Sequence, residues 1–310
     1  MFIVRYRTFF YTLSAILVVG SIVAIAAWGL NLSIDFKGGS LLQVLYPDGR
    51  PAQTAVQSAV APLGLSVTSI VPSGTNEYDI RTETLTDAQE NALTGALSAL
   101  SLAPAPVASS TATTSTMQIV GFNTIGPVLG KEAAEKSLAA IILVIAAIIL
   151  FIAWAFRKVS EPVSSWKYGI VAVVDLIHNI IIPTGVFAAL GHFYGYEVDT
   201  LFVTALLVVL GFSVHDTIVV FDRIRENLRL GTNGRPFAET VGASIKQTFV
   251  RSVNTSLVVL FALVVLYFVG GISTEHFSLA LIIGIAAGTY SSICLGSPLL
   301  VTIEKWQRGK

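Results

Sequence analysis

Residues 138–150 read Leu-Ala-Ala-Ile-Ile-Leu-Val-Ile-Ala-Ala-Ile-Ile-Leu, with no polar side chain among them. A run of this kind has few solutions in water. In lipid it has one, a helix that satisfies its own backbone. About 20 mostly apolar residues cross the ~30 Å hydrocarbon layer, and six segments meet that requirement: 9–29, 137–156, 169–190, 200–221, 253–269 and 277–303. The first exceeds the 7–15 apolar residues of a cleavable signal peptide and reads as an anchor. Composition agrees. Only 12% of residues are charged and mean hydropathy is +0.75, against about 25% charged for soluble chains. Disordered, disulfide-scaffold and ordinary soluble-enzyme readings are excluded.

The single cysteine, Cys294, permits no internal disulfide. Lys+Arg and Asp+Glu balance at 19 each, so the net charge points to no nucleic-acid partner. The distribution is more informative. Fourteen of the basic residues fall on the side of the membrane that holds both termini: Arg5, Arg7, Arg157, Lys158, Lys167, Arg223, Arg225, Arg229, Arg235, Lys246, Arg251, Lys305, Arg308 and Lys310. Basic loops stay inside, which makes both termini cytoplasmic in a multi-pass protein of the cell membrane. The chain then divides into 1–30 (N-terminus and first span), 31–132 (an extracytoplasmic domain) and 133–310 (spans two to six).

Within the inserted domain, 31–46 reads as a strand interrupted by Gly38-Gly39 and 51–61 as a helix. Residues 65–71 and 77–82 read as strands joined by the turn chemistry of Pro72-Ser73-Gly74-Thr75-Asn76. Thr86-Asp87-Ala88-Gln89 is a capping box opening a helix to about Leu100. A Pro/Ala/Ser/Thr loop over 103–115 leads to a last strand at 116–122. The order β-α-β-β-α-β is ferredoxin-like. No metal-ligand spacing occurs here, so the domain reads as a contact module.

Two acidic residues lie within predicted spans, where charge is costly and marks a functional site by default. Asp216 lies six residues before Asp222, about 9 Å from the boundary at 1.5 Å per residue. Asp175 is at similar depth in the third span, with His178 and Asn179 on its helical face at i+3 and i+4. Ser213, His215 and Thr217 surround Asp216. Such carboxyl groups can load a proton from one aqueous side and release it to the other, with about 2.3 kcal/mol available per charge per 100 mV. The alternative for Asp175, His178 and Asn179 is hydrogen bonding between helices. Arg251 either snorkels to headgroups or serves as counter-ion to Asp216. Phe237, Val241, Ile245 and Phe249 recur every four residues, as in an amphipathic helix along the cytoplasmic interface that links two spans mechanically. No His-Glu-x-x-His, Gly-x-Ser-x-Gly or Walker A sequence is present, so neither an enzyme nor nucleotide-driven work is expected. Two intramembrane aspartates without a Gly-x-Gly context do not make an aspartyl protease.

Leu30–Gly39 (Leu-Asn-Leu-Ser-Ile-Asp-Phe-Lys-Gly-Gly), with Asp35, Phe36, Gly38 and Gly39, resembles the motif after the first span of the SecD/SecF family of protein-export subunits. Phe122–Glu132, with Gly126 and Pro127, is similar to that family's approach to the second span. Gly211–Asn227 and Gln247–Ser252 resemble its fourth- and fifth-span motifs. The resemblance covers nearly the whole chain and is to SecF-type members, half of a resistance-nodulation-division transporter. It implies a partner SecD, the SecYEG channel, an exported unfolded polypeptide as cargo, and a proton gradient as energy source, with no cofactor and with sodium as an alternative ion. By motif, Asp216 matches the essential intramembrane aspartate and Arg251 the arginine coupled to it. The family's usual third-span His-Asp is His178-Asn179 here. Asp175, one turn earlier, either replaces the missing acid or marks a different pathway. His215 stands where Asn is common, as a proton-transfer group or a tolerated hydrogen-bonder. Two other readings are a stand-alone proton-coupled exporter of small molecules or lipids acting as a homodimer, and a membrane scaffold with no proton step.

Overall fold

The computed structural model describes residues 2–101, 117–155, 165–230 and 236–308. The predicted loop at 103–115, Phe156 at the end of the predicted second span, and the basic residues Arg157, Lys158, Arg235 and Lys310 lie outside them. In chain order the elements are α1 (Phe2–Arg5), α2 (Arg7–Trp28), α3 (Ile34–Lys37), β1 (Gly39–Leu45), α4 (Gln53–Val60), a 3-10 turn (Ala61–Leu63), β2 (Val67–Ser73), β3 (Glu77–Thr82), α5 (Asp87–Ser101), β4 (Gln118–Ile125), α6 (Pro127–Ala155), α7 (Ser165–Tyr194), α8 (Thr200–Arg229), α9 (Phe237–Val269), α10 (Ile272–Ser291), a π turn (Ser292–Gly296) and α11 (Ser297–Arg308). They form two compact units, Met1–Asn31 with Ser137–Lys310, and Leu32–Lys136.

The unit Leu32–Lys136 holds a four-stranded antiparallel sheet in the order β2-β3-β1-β4. Alternation sends Leu42, Val44 and Tyr46 to one face of the β1 run. Opposite them, β3 supplies Ile80 to Leu42 and Tyr78 to Val44. The same face receives Val56 and Val60 of α4 and Leu93 and Leu97 of α5, all buried. The two buried phenols are satisfied, Tyr46 donating to Leu97 O (3.2 Å) and Tyr78 to Pro51 O (2.7 Å). At the start of α5, Gln89 Oε1 accepts from the Thr86 backbone N–H and from its hydroxyl, at 3.0 and 2.9 Å.

Two local expectations are corrected in this unit. Residues 34–37 are a helical turn rather than strand, because Ser33 Oγ caps it by accepting from the Asp35 N–H (3.1 Å). Gly38, at φ 77°, then ends the turn. The last strand continues past Phe122 to Ile125, since it stays paired with β1 through a bulge at Gln43/Val44.

In the other unit, the described residues include six helical stretches long and apolar enough to cross a membrane: Arg7–Trp28, Pro127–Ala155, Lys167–Tyr194, Thr200–Arg229, Phe237–Val269 and Thr274–Gln307. The third, fourth and sixth are about half buried by protein, whereas the others keep most of their surface outward. Small residues permit close approach. A Cβ on Gly185 of α7 would fall 2.2 Å from Ser21 Cβ of α2, and one on Gly284 of α10 would fall 2.3 Å from Val209 Cγ2 of α8. Pro183 is accommodated inside α7, and Asp199 Oδ1 caps α8 by accepting from the Phe202 N–H at 2.7 Å.

The expectation for 237–249 also changes. These residues are the first turns of α9, a 33-residue helix running to Val269. Phe237, Val241 and Ile245 are buried in the bundle core beside Phe221, Ile224, Leu300 and Val301. Their apolar face is therefore covered by protein, not by the membrane interface, and only Phe249 of the four is exposed.

Candidate functional site

The polar residues of the bundle converge on α8. Ser213, Asp216 and Thr217 occupy one helical face at i, i+3 and i+4 and are all buried. His215 falls on a different face and is exposed. From α7, Asp175, His178 and Asn179 are buried at the same spacing. From the sixth span come Gly288, Thr289, Ser292 and Gly296, and from α9 come Arg251, Ser252 and Ser256.

One string of hydrogen bonds joins α7, α8 and the π turn. His178 Nδ1 lies 3.0 Å from Asn179 Oδ1, and Asn179 Nδ2 donates to Ser213 Oγ at 2.5 Å. Gly288 packs closely there, since an added Cβ would sit 3.1 Å from Ser213 Cβ. Thr217 Oγ1 and Ser292 Oγ are 2.9 Å apart, and Ser292 also approaches Ser213 O at 3.4 Å. The π turn is closed in part by a side chain, Ser297 Oγ donating to Ser292 O at 2.9 Å.

A second string holds Asp216 against α9 and α10. Ser256 Oγ is 3.5 Å from Asp216 Oδ2, 2.6 Å from Thr289 Oγ1 and 2.9 Å from Ser252 O. A hydroxyl has one proton, so Ser256 cannot donate to all three at once. Arg251 and His215 lie within electrostatic reach of the Asp216 carboxylate. Arg251 is exposed on α9 and makes no ion pair with Asp216 among the described residues.

Asp175 stands apart from both strings. Its carboxyl is buried, and neither oxygen has a hydrogen-bond partner among the described residues; His178 Nε2 is likewise unpartnered. The carboxyl lies against the π turn, where a Cβ added to Gly296 would fall 2.0 Å from Oδ2. No group of three or more metal-ligating side chains occurs among the described residues.

In the other unit the sequence motifs meet. A Cβ on Gly38 would be 2.7 Å from Pro127 Cα, and one on Gly39 2.7 Å from Thr82 O. Gly130, the residue three beyond Pro127, would place its Cβ 2.8 Å from Gly38 N. The Asp35-Phe36-x-Gly38-Gly39 turn and the Gly126-Pro127 helix start are thus two sides of one close backbone contact, with Phe36 buried and Asp35 in the first turn of α3.

Sequence reasoning did not single out Ser256, Thr289, Ser292 or the glycines Gly284, Gly288 and Gly296. The signal was available. Gly284-x-x-x-Gly288, followed by Ser291-Ser292 and Gly296-Ser297, is a run of small and hydroxyl residues at interhelical spacing within an apolar span.

Six apolar spans around buried carboxyls, with an antiparallel α+β domain inserted after the first, define a multi-pass membrane protein of the half resistance-nodulation-division architecture. The sequence matches the family described as protein export membrane protein SecD/SecF, C-terminal, over residues 107–306, and the SecD/SecF GG motif over 23–46. The chain belongs to the SecD/SecF family. Among its relatives, protein translocase subunit SecF of Thermobaculum terrenum is 42% identical across 97% of this chain and 93% of that protein. That of Anaerolinea thermophila is 33% identical across 98% and 93%. The crystal structure of SecDF, a translocon-associated membrane protein from Thermus thermophilus, matches 98% of this chain with a TM-score of 0.80 and 27% identity. This chain spans 38% of that longer protein.

Proposed function

We propose that this chain is an auxiliary subunit of the Sec protein-translocation machinery that acts with a SecD partner beside SecYEG. It uses the proton gradient to promote export of unfolded polypeptides and performs no enzymatic step. Family membership supports the assignment to translocation. The observation that carries the coupling is Asp216: a buried carboxyl whose serine partner has two alternative acceptors, with the guanidinium of Arg251 within electrostatic reach. Protonation of Asp216 changes what Ser256 donates to, and so what α9 and α10 hold between them. Arg251 acts as counter-ion when the carboxylate is charged. His215, exposed and within electrostatic reach of Asp216, serves in this reading as a proton-transfer group. In the third span Asp175 takes the place of the acid expected at Asn179, while His178 and Asn179 tie α7 to α8. The basic-residue distribution supports cytoplasmic termini and an extracytoplasmic inserted domain.

The test is gradient-dependent translocation in vesicles holding this chain with its SecD partner and the channel. Asp216→Asn is expected to bring export down to the level seen when the gradient is collapsed, at unchanged protein abundance. Unimpaired, gradient-stimulated export by this variant would refute the coupling. Collapsing the proton and sodium gradients separately identifies the ion.

A further inference from the structure

On α9, Lys246, Phe249, Val253, Ser256 and Leu260 recur at three- and four-residue steps and so form one stripe. On the sixth span, Ala286, Thr289, Tyr290 and Ile293 form another. Between the two stripes lies an apolar cavity of about 310 Å³. It adjoins a second of about 620 Å³ that is bounded by Phe2, Val4 and Phe10 near the N-terminus and by Ile245 and Lys246 of α9. Phe249 and Cys294 line both.

Charge and length say what fits. From Phe249 to Leu260 is eleven residues, about 16 Å of helix. That is about half of the ~30 Å hydrocarbon layer, the length scale of one acyl chain. Lys246, one turn before Phe249, is exposed and has no ion-pair partner among the described residues. A groove of this length with a cation at its mouth matches an acyl chain carrying an anionic headgroup, since a lysine at this level attracts negative lipid. In the wall of the smaller cavity Ser256 and Thr289 are hydrogen-bonded to each other at 2.6 Å.

We infer that this groove is a binding site for a single anionic phospholipid, its headgroup on Lys246 and an acyl chain laid between α9 and the sixth span, past the Ser256–Thr289 pair to Leu260. The occupied site places a lipid one hydrogen bond from Asp216, through Ser256.

The full chain, delipidated in detergent and given phosphatidylglycerol or phosphatidylcholine of matched chains, can be weighed by native mass spectrometry. Phosphatidylglycerol is expected to be retained in preference to phosphatidylcholine. Lys246→Gln is expected to lower its retention about fivefold, the effect of one lysine at an anionic surface. Leu257→Trp, which fills the smaller cavity, is expected to abolish retention, and Ala286→Leu serves the same purpose if the first variant does not fold. Equal retention of the two lipids overturns the proposal, as does retention unchanged by Lys246→Gln or by filling the groove. Loss of the bound lipid on assembly with a SecD partner would also overturn it by assigning the groove to a protein helix. Because the measurement involves no translocation, its failure is separate from failure of the proton-coupling reading.

Discussion

The carboxyl group of Asp175 occupies the space that a side chain at position 296 would need, with Oδ2 2.0 Å from the place of a Gly296 Cβ. A buried acid on α7 and a glycine in the π turn of the sixth span are therefore one fitted pair. Neither helix can change at this level without the other.

Gly296→Ala is expected to destabilise the bundle by about 1–3 kcal/mol, the usual cost of overpacking. Adding Asp175→Ala removes the obstructing carboxyl and should recover part of that loss. Thermal unfolding of the two single variants and the double variant in detergent gives the coupling. Strictly additive effects would mean that the two residues do not meet.

The pair also bears on export. If Asp175 stands in for the acid at the Asn179 position, Asp175→Asn lowers gradient-stimulated translocation, and Asn179→Asp added to it restores part of the activity. Normal export by Asp175→Asn would remove Asp175 from the pathway and leave it a packing residue. Measuring abundance alongside the rate separates the two cases.

The SecD/SecF glycine turn has a definite mechanical role. Gly38 is at φ 77°, and an added Cβ would lie 2.7 Å from the backbone of Pro127, so Gly38→Ala meets both strain and a clash. A loss of about 1–3 kcal/mol is expected in the inserted domain, read as faster proteolysis there or earlier unfolding. Gly126→Ala, whose Cβ would meet nothing within 4 Å, is the control and should be close to neutral.

The inserted domain should also lose stability in alkali. Burial pushes the Tyr46 phenol up to about 12 from its ordinary 10.0. Between those values the unfolded chain releases this proton while the folded domain keeps it. The unfolded state then binds fewer protons and stability falls as pH rises. Tyr46→Phe gives up the hydrogen bond to Leu97 O, about 1 kcal/mol at neutral pH, but should flatten the decline between pH 10 and 12. An unchanged slope in chemical denaturation across that window would exclude Tyr46 as its source.

Much of this architecture could be read from the chain. Six apolar runs became six spans because no other structure satisfies that much backbone in lipid. The strand at 77–82 followed from alternation, and of the Thr86–Gln89 capping box the Gln89 half formed, its side chain accepting from the Thr86 N–H while the Thr86 hydroxyl donates to the same oxygen. The approach of Asp216 to Ser256 was not legible, because spacing along a helix gives a face but not the neighbour across it. The burial of Phe237, Val241 and Ile245 was missed for a related reason. An apolar stripe looks the same whether lipid or protein covers it, and here the cover is a core shared with α8 and α11. The strand at 34–37 failed because a single serine cap and a left-handed glycine outweighed the local apolar pattern.

The π turn at Ser292–Gly296 carries a consequence for how this span tolerates insertion and deletion. A π turn accommodates one residue more than the α-helix it interrupts. Elsewhere in the sixth span, loss of a residue would rotate everything after it by about 100° and carry Leu300 and Val301 off the core. Within the π turn, loss of one residue between Ser292 and Gly296, whose own contacts with Thr217 and Asp175 are fixed, lets the helix close to ordinary α geometry while α11 keeps its facing on the bundle. It is the one stretch of this span where chain length and helical phase are independent of each other.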